Sequence, residues 1–134
     1  MSDETAKILL YSDDRTTREQ VRLALGRRLA ADLPELEVFD VATHAAVLAA
    51  VDAGGLDLLI LDGEATPSGG MGLCKQLKDE IPECPPVLVL IMRVADAWLA
   101  TWSRADASSL YPIDPVRLPT TVAELLRTRL SQAV

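Results

Sequence analysis

The sequence predicts an α/β fold, a doubly wound five-stranded parallel sheet with helices on both faces. Strand and helix patterns alternate along all 134 residues, which is the order that builds a mostly parallel sheet. Residues 56–61 and 87–91 are almost continuously apolar, as is typical of strands covered on both faces. No linker, repeat or low-complexity segment interrupts the pattern, so we expect residues 1–134 to form a single domain.

Five short segments have the apolar and β-branched composition of strands. They are residues 7–11, 37–41, 56–61, 87–91 and 108–111. Asp40 indicates that the second strand lies at an edge of the sheet, where charged side chains are tolerated. The last segment, Ser-Ser-Leu-Tyr, is the weakest of the five.

Helical spacing of apolar residues separates the strands and follows the last one. It is present after Asp14, from 43 to 53, from 71 to 80, from 94 to about 102, and from 114 to about 130. Thr16 and Thr17 are placed to cap the first helix and Thr43 the second. Gly54 and Gly55 are placed to end the second helix.

The composition excludes several classes of function. A net charge of −7 with no basic cluster argues against nucleic-acid binding, which needs Lys and Arg to neutralise phosphates. Cys74 and Cys84 are too few for a zinc site, which needs about four ligands. The polar, acidic start of the chain lacks the features of a signal peptide, and no apolar run approaches the roughly 20 residues of a membrane span. We therefore expect a cytoplasmic protein without membrane insertion.

Acidic residues follow two of the predicted strands at their carboxyl ends. Asp13 and Asp14 come after the first strand, and Asp62 ends the third. Ligands of open parallel sheets bind at this edge, near the point where strand order reverses. Carboxylates gathered there would suit a hard divalent cation such as Mg²⁺.

The chain resembles the receiver domain of two-component response regulators. The resemblance spans nearly the whole chain and rests on residues 7–14 (KILLYSDD), 57–62 (DLLILD), Pro67, 72–73 (Gly-Leu), 86–87 (Pro-Val) and Pro112. It implies the flavodoxin-like receiver fold, standing alone without an output domain. It also implies a role in phosphorelay signal transduction and no enzymatic activity of its own.

The resemblance implies site residues as well. Asp62 corresponds to the aspartate that accepts the phosphoryl group, a nucleophile that forms an acyl phosphate. Asp13 and Asp14 correspond to the acidic pair that holds Mg²⁺ together with Asp62, and the backbone carbonyl of Glu64 corresponds to a further ligand. Mg²⁺ would position the phosphoryl group and neutralise its charge.

Three positions depart from the family pattern. Ile91 stands where the family has a Ser or Thr hydroxyl, Tyr111 where it has a lysine, and Ser108 where it has an aromatic switch residue. Isoleucine cannot donate a hydrogen bond to phosphate, and tyrosine is neutral. The loop after Asp62 also carries one or two extra residues. We expect the phosphorylation switch to be degenerate and the conformation to be fixed.

Trp98 and Trp102 lie four residues apart and therefore share one face of their predicted helix. Two interpretations stay open for them: packing in the core, or a protein interface on the face formed by the fourth helix, last strand and last helix. Tryptophan is enriched at binding hot spots.

The sequence favours an atypical single-domain response regulator that acts through protein–protein interaction with little or no dependence on phosphorylation. Its partner is unidentified; a sensor histidine kinase and a second copy of the chain, bound through the same face, are candidates. The alternative is a working Mg²⁺-dependent phosphoacceptor, phosphorylated on Asp62 by a histidine kinase. A nucleotide or small-ligand sensor is a third class, although no phosphate-binding loop is visible.

Overall fold

The computed structural model describes residues 5–66 and 69–132. The strands are β1 (Ala6–Tyr11), β2 (Leu36–Val41), β3 (Leu58–Asp62), β4 (Val87–Ile91) and β5 (Ala107–Leu110). The helices are α1 (Arg15–Leu25), α2 (His44–Ala53), α3 (Gly70–Glu80), α4 (Ala97–Trp102) and α5 (Arg117–Gln132). All strands pair in parallel in the order β2-β1-β3-β4-β5. The predicted doubly wound α/β sheet is confirmed.

The core lies in two layers, one on each face of the sheet. Successive residues of a strand point to opposite faces, so Ile8 and Leu10 pack with α1 and α5 while Leu9 and Tyr11 pack with α2 and α3. Every residue of β3 and β4 is buried. This explains why the two segments are continuously apolar.

The sheet has β2 at one edge, as the charge of Asp40 indicates. Arg22 Nη1 lies 2.5 Å from Asp40 Oδ1, and Arg18 Nε lies 3.8 Å from Asp40 Oδ2. These arginines lie on α1, and their ion pairs with Asp40 connect that helix to the edge strand.

The helix boundaries confirm one predicted cap and correct another. Thr43 caps α2 by accepting a hydrogen bond from Ala46 N, and Gly54 ends the helix with a φ of 77°. The first helix, however, is capped by Asp14, whose carboxylate accepts from Thr16 N. The prediction that Thr16 and Thr17 cap α1 was wrong because the helix begins at Arg15, before both threonines. Aspartate is as good a cap as threonine.

Three further boundaries differ from the predicted ones. Strand β3 begins at Leu58, because Asp57 is engaged with Lys7: its carboxylate accepts from Lys7 N at 2.9 Å. The segment predicted as one helix from 94 to 102 is a 3₁₀ turn, Val94–Asp96, followed by α4. Helix α5 begins at Arg117, because Asp114 first forms a turn in which its carboxylate accepts from Val116 N and Arg117 N.

Within the described part of the chain, no helix is both long enough and apolar enough to cross a membrane.

The double-sided burial of β3 predicts a large difference between two leucine substitutions. Leu59 is completely buried, whereas Leu23 on α1 is 83% exposed. Leu59→Ala should lower the free energy of unfolding by about 2–5 kcal/mol, because it leaves a cavity in the core. Leu23→Ala should change it by no more than about 0.5 kcal/mol. Urea denaturation of the two variants checks this, and equal effects would contradict the burial of β3.

Candidate functional site

Asp62 ends the central strand β3 and is 2% exposed. Two glycines allow the backbone to pack tightly around it. A Cβ atom on Gly63 would lie 2.6 Å from the carbonyl oxygen of Leu90, and one on Gly70 would lie 2.6 Å from the carbonyl oxygen of Asp62 itself. The start of α3 therefore packs directly against the backbone of Asp62, which fixes the position of that residue.

The side chain that meets Asp62 from β1 belongs to Ser12. The strands pair with Tyr11 opposite Leu61, so the next residues of the two segments, Ser12 and Asp62, come side by side. Ser12 is completely buried, and its Oγ donates to Asp62 Oδ2 at 2.7 Å. The same hydroxyl accepts from Asp14 N at 3.0 Å.

Neutral donors surround the Asp62 carboxylate. Besides Ser12 on Oδ2, the backbone N–H of Glu64 donates to Oδ1 at 2.9 Å. The hydroxyl of Tyr111 interacts with the same carboxylate. Burial raises the pKa of Tyr111, and its hydrogen bond to Asp62 raises that pKa further, whereas Thr17 lowers it. Three uncharged groups thus contact the Asp62 carboxylate.

The other two predicted carboxylates turn to different partners. Asp14 is exposed; its Oδ1 accepts from Thr16 N at 2.9 Å and its Oδ2 from Thr17 Oγ1 at 3.2 Å. Asp13 is also exposed, and its Oδ2 accepts from Thr66 Oγ1 at 2.9 Å. The structure therefore places both residues near the crevice but directs Asp14 to the start of α1.

These placements test whether the residues present suit Mg²⁺. Among residues 5–66 and 69–132, no three His, Cys, Asp or Glu side chains are grouped so that they could hold a metal ion. The carboxylates of Asp13, Asp14 and Asp62 are each hydrogen-bonded to protein donors and do not converge. Glu64 has an exposed side chain and an N–H bound to Asp62. As placed, these residues do not form a set of magnesium ligands, and their assignment as ligands stays a prediction.

The three replaced switch positions do not all face Asp62. Ile91 is buried at 2% exposure, so no hydroxyl is available at the end of β4. Tyr111 follows β5 and is half-buried beside Asp62. Ser108 pairs with Val89 and lines a groove on the outer side of β5.

The lysines of the chain lie away from Asp62. Lys7 is near the start of β1, at the opposite end of the sheet. Lys78 Nζ lies 2.7 Å from Asp106, and Lys75 is paired with Asp79. Arg93, the cation next to the end of β4, lies 3.0 Å from the buried carboxylate of Asp96 and is 73% exposed.

Both tryptophans are on the surface, so the core interpretation was wrong for them. Trp98 is 67% and Trp102 54% exposed. Helix α4 is buried through Ala100, and residues two positions away point about 200° from it around the helix axis. Met92 and Val94 are also exposed, at 53% and 73%. We call Met92, Val94, Trp98 and Trp102 the α4 patch.

Sequence reasoning missed Ser12. It assigned the acidic pair to Asp13 and Asp14 because carboxylates are the expected ligands. The signal that could have found Ser12 is strand register: if both strands end in step, the residue after Tyr11 is the neighbour of Asp62. Pro67, one of the positions of the resemblance, lies outside the described residues.

The two tyrosines of the chain should titrate late. Burial and the nearby carboxylates Asp13 and Asp62 raise the pKa of Tyr11, and burial with Asp62 raises that of Tyr111. In the folded protein, tyrosinate absorbance should therefore appear only at pH values above the ordinary tyrosine pKa of about 10. In the denatured chain it should appear near that pH.

Because the folded-state pKa values are raised, the neutral tyrosines stabilise the fold below pH about 10, and this contribution is lost as the pH rises through the folded-state values. Tyr111→Phe should make the loss of stability at alkaline pH shallower. Tyrosinate appearing near the ordinary pKa in the folded protein would contradict the assigned environment.

No family model matches the chain, but individual proteins do. It is 56% identical over 126 residues to an uncharacterised response regulatory protein found in two strains of Mycobacterium tuberculosis, covering 94% of this chain and 95% of that protein.

Solved structures show the same fold. A CheY-like receiver domain protein from Methanospirillum hungatei is 18% identical with a TM-score of 0.74, covering 96% of this chain and 99% of that one. A chemotaxis response regulator of Vibrio cholerae is 20% identical with a TM-score of 0.74, covering 92% and 100%. With a relative this similar in sequence along nearly its whole length, and with this fold, the chain belongs to the response regulator family and is a receiver domain.

Proposed function

We propose that this receiver domain signals through protein–protein contact, with little or no dependence on phosphorylation of Asp62. The observation that carries the proposal is the environment of the Asp62 carboxylate, which is bonded by Ser12, Glu64 N–H and Tyr111. These groups are neutral. Phosphoryl transfer needs cations that neutralise the charge developing on the phosphoryl oxygens, and hydroxyl and amide groups supply only partial charge.

The nearby cations do not replace the missing lysine. Lys75 is paired with Asp79, Lys78 with Asp106 and Arg93 with Asp96. Arg18 of α1 is also engaged: its Nη1 donates to the carbonyl of Ser12 at 2.7 Å, and its Nε lies 3.8 Å from Asp40 Oδ2. Recruiting any of them would break an existing ion pair.

The surface that supports partner binding is the face formed by α4, β5 and α5. A groove of about 480 Å³ runs along it and includes Val94 of the α4 patch. Trp102 of the same patch lies toward α3, where Lys75 Nζ is 5.7 Å from its ring. The groove is lined by Val94, Ala97, Ser108, Val116 and Thr120, among others. Contiguous exposed apolar groups of this kind mark interaction sites. Trp98 and Trp102 would supply the large anchors that dominate binding energy.

Two kinds of protein fit this face. One is a heterologous partner, with a sensor histidine kinase as a candidate, and the other is a second copy of the chain. The edge strand β5, whose residues are half-buried, belongs to the same surface. Either partner could pack its apolar side chains against α4 without disturbing the crevice at Asp62.

The second candidate function is phosphate acceptance by Asp62 with Mg²⁺. The position of Asp62 supports it, because the residue ends the central strand at the carboxyl edge of the sheet, and Asp13 stands nearby. In this account the Ser12 and Tyr111 hydroxyls would release the carboxylate before transfer.

Incubation with acetyl phosphate and Mg²⁺, followed by intact-mass spectrometry, distinguishes the two functions. We expect no phosphoryl adduct on the wild-type protein, because the crevice lacks the cations that transfer needs. Asp62→Asn is the matched control. A phosphoryl adduct on the wild type that hydroxylamine cleaves and that is absent from Asp62→Asn would overturn phosphorylation independence and establish the second function.

A pull-down from lysate of the source organism tests the surface. Trp98→Ala and Trp102→Ala should each weaken partner capture at least about tenfold, as loss of a central aromatic anchor does. Leu23→Ala removes an exposed apolar side chain from α1 and should leave capture unchanged, as should Asp62→Asn. Sedimentation of the purified variants reports whether the partner is a second copy. Capture that survives both tryptophan changes would refute the assigned face.

A further inference from the structure

Ser12 directly follows β1 and faces Asp62, where its hydroxyl makes two hydrogen bonds. It is completely buried, donates to Asp62 Oδ2 at 2.7 Å and accepts from Asp14 N at 3.0 Å. The Ser12 hydroxyl therefore uses its hydrogen in one hydrogen bond and one oxygen lone pair in another. The hydrogen bond occupies the face of the Asp62 carboxylate that is turned toward β1.

The carboxylates that follow Ser12 cannot take its place without breaking other contacts. Asp14 satisfies the N-terminus of α1 through Thr16 N and Thr17 Oγ1, and losing such a cap destabilises a helix by about 1 kcal/mol. Asp13 is exposed and bonded to Thr66 across the crevice. From position 12, directly after β1, the side chain reaches Asp62 and donates to its carboxylate.

We infer that Ser12 determines the cation affinity of this crevice: it holds Asp62 in a metal-free, hydrogen-bonded state, and a carboxylate at position 12 would create a divalent-cation site. Affinity of oxygen sites for hard cations rises with the number of charged ligands. A serine hydroxyl adds no charge, and its hydrogen bond occupies Asp62 Oδ2, an oxygen that a cation would need as a ligand. An aspartate there would bring a second carboxylate against Asp62, where the mutual repulsion of the two favours binding of a cation.

This inference goes beyond the proposed function, because it concerns metal affinity and holds whether or not signalling requires phosphorylation. It is tested without any phosphoryl donor, so its failure is distinct from a failure of the phosphorylation or pull-down experiments.

Calorimetric titration with Mg²⁺ and Mn²⁺ at constant ionic strength tests it on the wild type, Ser12→Asp and Ser12→Asn. Asparagine matches aspartate in size but carries no charge. Ser12→Asp should bind at least about tenfold more tightly than the wild type, and Ser12→Asn should bind no more tightly than the wild type. Without metal, Ser12→Asp should melt at a lower temperature than Ser12→Asn, and Mg²⁺ should reverse that order.

Two results would overturn the inference. One is wild-type affinity equal to that of Ser12→Asp, and the other is an equal gain for Ser12→Asn. Circular dichroism verifies folding of each variant. If Ser12→Asp does not fold without metal, the variant is refolded in the presence and absence of Mg²⁺, and the wild type is titrated as before. Failure of Mg²⁺ to restore folding of the variant would also contradict the inference.

Discussion

Parallel pairing of β1 with β3 is the constraint on which the crevice depends. The register that sets Tyr11 opposite Leu61 carries the following residues, Ser12 and Asp62, to the same edge of the sheet. The strand order reverses direction at β1, so the chain leaves this edge toward α1 on one side and α3 on the other. Both strands are buried and cannot slip by one residue, because a slip would turn every apolar side chain to the wrong face. The contact between Ser12 and Asp62 is therefore set by the whole sheet.

Competition between two uses of a carboxylate shapes the rest of the crevice. Asp14 can cap α1 or it can point toward Asp62, and the free N–H groups at a helix start attract it to the first use. Asp62 is in turn stabilised by hydroxyl and amide donors, which hold a charge by hydrogen bonds without neutralising it. In the described residues the result is a crevice of separate, locally satisfied groups. The backbone of the crevice has the arrangement of a receiver domain, whereas its carboxylates are hydrogen-bonded to groups of the protein itself.

The sequence predicted the architecture well because burial controls it. The continuous apolar run of β4 gave its bounds, Thr43 marked the start of α2, and Asp40 indicated the edge strand. The sequence predicted the location of the crevice but not the hydrogen-bond partners of its side chains. Asp13 and Asp14 have the same side chain, so only the start of the helix at Arg15 determines which of them becomes its N-cap. The exposure of the tryptophans could not be predicted either, because the short helix α4 buries a small residue, Ala100, and hydrophobicity alone favours the opposite orientation.

The location of both tryptophans on α4 also determines what intrinsic fluorescence can report. Neither indole is in the core, so emission from the native protein should already resemble that of solvent-exposed tryptophan. Lys75 Nζ lies 5.7 Å from the Trp102 ring, which gives that fluorophore a charged neighbour. Unfolding would therefore change the emission little. A protein that covers α4 would shift the emission to shorter wavelength, so the chain carries a built-in optical probe of its own partner surface.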